Sequence, residues 1–211
     1  MKFSRIEQSP AMDKGNYVKI DHDFGYFLDP NKMASIANYE DESAALLKLM
    51  LIHEDFLRVV IENLRPEGSE KYNAIQSYKY FAPKLSAAVL LGLPVSLADA
   101  MAELNSIRNK YAHKIDYEIT NEEVDKLAEV IKKIKIEEIN LGVYIHQEVD
   151  IILKDGIYAI ALMRELPPDL EENRLRICKL VTSAHCMCLL GAFWLINTLH
   201  VKGKLKLSMP E

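Results

Sequence analysis

The sequence predicts an all-α protein, an up-and-down helical bundle of about five to six helices, for three reasons. Apolar residues recur at three- and four-residue steps through most of the 211 positions, the mark of helix faces turned to a core, and alternating strand patterns are nearly absent. Glycine and proline, at eight residues each, are few, and most lie between those stretches. The composition, 49% apolar and 27% charged, is that of an ordinary globular chain, long enough to bury one core. A single domain over residues 1–211 is expected, its helices stacked along their apolar stripes.

Residues 1–40 mix Pro10, Gly15, Gly25 and Pro30 with Tyr17, Phe24, Tyr26 and Phe27, which predicts an irregular arm packing its rings on the body. The first helix is expected from about Glu42 to Leu64, where Leu46, Leu49, Met50, Leu57, Val60, Ile61 and Leu64 share one stripe before Pro66 and Gly68 end it. His53 falls inside that stripe. It reads either as a core histidine or as an auxiliary acid or base facing the polar cluster described below, whereas Glu54 and Asp55 read as solvated surface. The tyrosine-rich stretch 71–80 is a short helix or a linker. Pro83 suits the first turn of a helix that Gly92 and Pro94 stop. Ser96 is placed to cap the next helix, in which Leu97, Met101, Leu104, Ile107 and Tyr111 form the buried face.

Thr120 and Glu123 have capping-box spacing, and Val124, Leu127, Val130, Ile131 and Ile134 mark the buried stripe of the helix that follows; its charged side is a solvated face. The last third predicts two helices at 142–200, one from about Gly142 to Leu166 and one from about Asp169 to His200, with Asp169 and Glu172 as a capping pair. From Leu180 to Leu199 there is no Asp, Glu, Lys or Arg, a length that could cross a bilayer. Thr182, Ser183, His185 and Asn197 within it, and the lack of a second such segment, favour a buried core or interface helix, and no membrane partner is expected.

A net charge of -5 argues against a broad nucleic-acid-coating surface, so any RNA contact must be small and focused. Three cysteines, Cys178, Cys186 and Cys188, form no disulfide pattern, and the N-terminal residues lack the apolar core of a signal peptide; both lead to a cytoplasmic expectation. His185, Cys186 and Cys188 lack the paired spacing of a zinc site and read as packed side chains, so no metal is expected. No cofactor is expected either, since no glycine-rich phosphate loop, dinucleotide fingerprint, HExxH or GxSxG occurs.

What remains is Ile107-Arg108-Asn109-Lys110-Tyr111-Ala112-His113. At about 100° per residue, Asn109 and His113 stand one above the other, away from the apolar face, and Arg108 lies at its edge. An imidazole titrating near neutrality can move a proton, a guanidinium can grip phosphate oxygens, and a carboxamide can orient either. That set suits chemistry on a phosphodiester without a metal. The same residues also fit a solvated helix end, where cations favour the dipole.

The run Asn105 to His113 resembles the RxxxxH signature of the HEPN superfamily, and more narrowly the IRNxxAH version of mannitol-operon-repressor-like (MtlR-like) proteins. Upstream, Phe81, Lys84, Leu85, Ala88, Leu91, Gly92 and Leu93 are similar to that family's preceding helix, and the likeness covers about residues 42–135. It implies a helical bundle and a homodimer in which two copies of Arg108, Asn109 and His113 share a cleft. It also implies one of two functions. One is a metal-independent RNA endonuclease of toxin, defence or RNA-processing type, with RNA as substrate and an antitoxin or other protein partner. The other is a non-catalytic MtlR-like regulatory or interaction protein in which the cluster organises a dimer. Some HEPN toxins place a tyrosine two residues after the histidine; here position 115 is Ile, and Tyr117, four residues on, is the candidate auxiliary residue, so toxin regulation through that tyrosine does not carry over.

Overall fold

The C-terminal helix is the axis on which the other helices are arranged. The structure, a computed structural model, describes residue 27 and residues 30–69, 80–113, 117–139 and 171–204. Among these residues there are seven helices and no strand: α1 (Pro30–Ala37), α2 (Glu42–Leu64), α3 (Phe81–Leu90), α4 (Val95–His113), α5 (Asn121–Lys132), α6 (Ile136–Ile139) and α7 (Glu172–Val201). The protein is an all-α bundle. Helix α7 packs against α1, α2, α4, α5 and α6. Its charge-free stretch explains the position, because a helix that is apolar on every side has no solvent face. By length and composition α7 could also cross a membrane, but 67% of its most apolar window is buried inside the bundle.

The first turns of α7 carry charge, and these residues fix its direction. Arg176 Nε donates to Glu42 Oε1 at the start of α2 (2.7 Å), and Lys204 Nζ, just past the end of α7, donates to the carbonyl of Asn63 near the end of α2 (2.9 Å). The two long helices therefore run in the same sense. Asn121 to Glu172 and Lys179 to Asp125, both at 2.8 Å, set α5 parallel to α7 as well. Helix α4 runs the other way beside α5, since Lys110 pairs with Glu123 and Glu103 with Lys126.

Between α2 and α7 the backbones come close. Gly191 lies under the ring of Phe56: a Cβ built there would be 2.6 Å from Phe56 Cζ. Phe27 meets the same ring edge-on, with centroids 5.5 Å apart and planes at 85°. The expected docking of aromatic rings from the N-terminal arm holds for Phe27; Tyr17, Phe24 and Tyr26 lie outside the described residues. Burying a ring of this size contributes about 1.5–3 kcal/mol, so the stack anchors the segment ahead of α1.

Several helix ends follow their sequence signals. Asp41 accepts from the Ser43 backbone N–H at the start of α2. Thr120 and Glu123 form the full capping box of α5. At the end of α3, Gly92 adopts φ 109°, its N–H donates to the Val89 carbonyl, and the Leu93 N–H donates to that of Ala88, which closes the helix in a Schellman turn.

Elsewhere the structure corrects the expectation. Residues 30–37 form a helix and are not part of an irregular arm; Met33 and Ile36, three apart, are its buried contacts, too short a pattern to be read as periodicity. Ser96 does not cap α4. The helix begins at Val95, the Pro94 carbonyl accepts its first bond from Ala98, and the Ser96 hydroxyl bridges to Lys135 N and Glu138 Oε2 at 3.2 Å each. Helix α7 opens at Glu172 after Glu171, which makes no side-chain cap. The short α6, four residues long, is too brief to leave a periodic signal, and Ile139 is its buried contact. The expected elements at 71–80, apart from Tyr80, and at 142–166, with Asp169, lie outside the described residues.

Candidate functional site

The expected buried face of α4 is present: Leu97, Met101, Leu104 and Ile107 are fully buried. Tyr111 continues the stripe but is only partly buried against the core. This stripe fixes the rotation of α4, so Arg108 emerges toward α2 and α3 while Lys110 emerges toward α5.

Arg108 is held on two sides. One terminal nitrogen, Nη1, donates to Asn109 Oδ1 at 2.9 Å, and the other, Nη2, lies 3.6 Å from Glu54 Oε1 on α2. The second oxygen of Glu54, Oε2, accepts from Lys84 Nζ of α3 at 3.0 Å. Three helices thus meet in one cluster of two cations and one carboxylate, whose side chains are 29% (Arg108), 23% (Glu54) and 19% (Lys84) exposed. This corrects the reading of Glu54 as solvated surface, whereas Asp55 does lie at the surface, bonded to Arg58. A signal for the cluster existed in the sequence, because Lys84 is the sole charged residue of the helix Phe81–Leu90. Such a charge on a packed helix calls for a partner.

On the opposite flank of α4, Glu123 Oε1 accepts from both Lys110 Nζ (2.8 Å) and the Tyr117 hydroxyl. Burial raises the Glu123 carboxyl, but the bonds from Lys110 and Tyr117 outweigh it and hold the group below its usual range. Tyr117 titrates above the ordinary phenol value, through burial first and its bond to Glu123 second. The structure thus places Tyr117 with Lys110 and the α5 capping box, on the other side of α4 from the Glu54 contact.

His113 is the last residue of α4, and its side chain lies outside the described residues, as do Lys114, Ile115 and Asp116. Asn105, one turn before Asn109, was not singled out by the sequence; its Oδ1 is buried with no hydrogen-bond partner among the described residues.

His53 has the core role. It is completely buried, with Nδ1 2.9 Å from the Leu49 carbonyl and Nε2 3.8 Å from Cys188 Sγ. Since a carbonyl only accepts, Nδ1 carries the proton, and Nε2 is left to accept from the thiol. Burial lowers the His53 pKa to about 4 and raises both thiols, Cys186 to about 12, so the ring is neutral and the cysteines stay protonated. Among the described residues no group of three or more His, Cys, Asp or Glu is arranged to hold a metal ion.

Comparison of the chain with models of known families, with characterised proteins and with solved structures returns no match.

Proposed function

We propose that the protein is a metal-independent endoribonuclease that cuts RNA at a composite site formed by the α4 ends of two chains in a cytoplasmic homodimer. The observation that carries this reading is the fixed guanidinium of Arg108, tied to Asn109 on its own turn and to Glu54 across the helix interface. A guanidinium has five N–H donors, and the two terminal nitrogens that make these contacts retain others for a phosphate. His113, one turn beyond Asn109 on α4, supplies the group that titrates near neutrality.

The chemistry follows from those groups. His113 of one chain takes the proton of a ribose 2′-hydroxyl, whose oxygen attacks the adjacent phosphorus. Arg108 stabilises the charge gathering on the non-bridging oxygens, and the second His113 protonates the departing 5′-oxygen. The products are a 2′,3′-cyclic phosphate and a 5′-hydroxyl end. Phosphorus NMR of the reaction mixture tests this: a cyclic phosphate resonance is expected, and cleavage leaving only 3′-hydroxyl ends contradicts the mechanism.

A second reading is favoured by the same ion pair. Because the Arg108 contact to Glu54 joins α4 to α2, it also suits a regulatory or interaction protein of the MtlR-like kind, in which the cluster holds helices and a dimer together. Arg108→Ala separates the two: a folded dimer that no longer cuts supports the nuclease, and a monomer or an unfolded chain supports the regulator.

A further inference from the structure

We propose that Glu54 is the positioning residue for Arg108 and that Lys84 keeps the Arg108 charge free for a phosphate. This rests on the nuclease reading and extends it to residues outside the motif.

Lys84 is the nearer cation to Glu54, bonded to Oε2 at 3.0 Å, while Arg108 stands 3.6 Å from Oε1. The carboxylate is therefore shared unequally. At that distance it orients the Arg108 guanidinium by charge and not through a hydrogen bond, and its own charge is answered mainly by Lys84. The trio carries one net positive charge, and that charge sits on Arg108. Partial burial of all three side chains strengthens these interactions relative to open water. Asn109 holds the other terminal nitrogen, so the ring of contacts limits rotation about the guanidinium from both ends. Preorganised donors of this kind raise the rate because no reorganisation is needed as charge develops on the phosphate.

Removing each partner has a distinct consequence. Glu54→Gln loses the fixed orientation, so kcat falls tenfold or more while KM changes less than threefold. Glu54→Asp keeps the charge and recovers part of kcat. Lys84→Met leaves Glu54 with Arg108 as its only counterion, so KM for RNA rises severalfold while kcat changes less.

The test uses the full-length protein and a mixed-sequence single-stranded oligoribonucleotide carrying a fluorophore and quencher. Alongside the kinetics, nitrogen-15 NMR of the arginine guanidinium groups, assigned with Arg108→Lys, reports the geometry without requiring activity. Slow Arg108 rotation in the wild type, made fast by Glu54→Gln in a protein that keeps its helicity, is the expected result. If Glu54→Gln does not fold, Lys84→Met with its rise in KM carries the test alone. Free rotation in the wild type, or wild-type kinetics in both variants, overturns the proposal. Restricted rotation that depends on Glu54, in a wild-type protein that cuts no RNA, supports the positioning contact and removes the nuclease reading instead.

Discussion

His53 Nε2 stands 3.8 Å from Cys188 Sγ, at the middle of the parallel α2 and α7 pair. Both groups are buried and uncharged at neutral pH, and the folded protein keeps them so. In the unfolded chain His53 titrates at its ordinary value of about 6.5, against about 4 when folded, so between those values the unfolded state binds the extra proton. Stability from this residue is complete above about pH 6.5 and is lost as the pH falls toward 4, by on the order of 3 kcal/mol. Urea unfolding at pH 7.5 and pH 5 measures it. His53→Leu should flatten the dependence; an equal slope in both proteins would contradict the assignment.

The close approach of α2 and α7 gives a second outcome. Gly191→Ala puts a methyl group 2.6 Å from Phe56 Cζ, inside contact distance, so the ring or the helix must move. A loss of about 1–3 kcal/mol is expected from such overpacking. Gly191→Ala combined with Phe56→Leu should recover part of it in a thermal melt.

Architecture and chemistry separate along α4. Ile107→Ala removes a fully buried side chain and should cost about 2–5 kcal/mol, whereas Tyr111→Ala, at a partly buried position, should cost less. Arg108→Ala loses an ion pair at a 29% exposed side chain and should change stability by less than about 1 kcal/mol. Chemical denaturation of the three variants ranks them directly.

The helices that the sequence shows clearly are those whose signals are local. Glu42–Leu64 has a long stripe, Thr120 and Glu123 form a capping box, and Gly92 ends α3 in the left-handed region. Pro30–Ala37 leaves no signal because eight residues are too few for a period, and Ser96 reads as a cap because a cap residue and a first-turn serine look alike until the distant Glu138 and Lys135 are in place. The site divides in the same way. Arg108 and Asn109 are adjacent in the chain and legible, but Glu54 and Lys84 reach Arg108 only through the packing of α2 and α3 on α4; the lone charge of Lys84 on its helix signals a partner without saying which.

Assembly is a further test, since the composite cleft needs two copies of α4. Light scattering at micromolar concentration should give twice the mass of one chain. A monomer would remove the shared cleft.

Incubating the purified protein with single-stranded and structured RNA in EDTA, beside Arg108→Ala and His113→Ala, tests whether the end of α4 cuts RNA. Cleavage by the wild type with chelator present is expected, reduced by about 10²- to 10⁴-fold in His113→Ala, the range of a lost general acid or base. RNA left intact by the wild type would rule out the nuclease, and RNA cut equally by wild type and His113→Ala would rule out His113 as its acid or base.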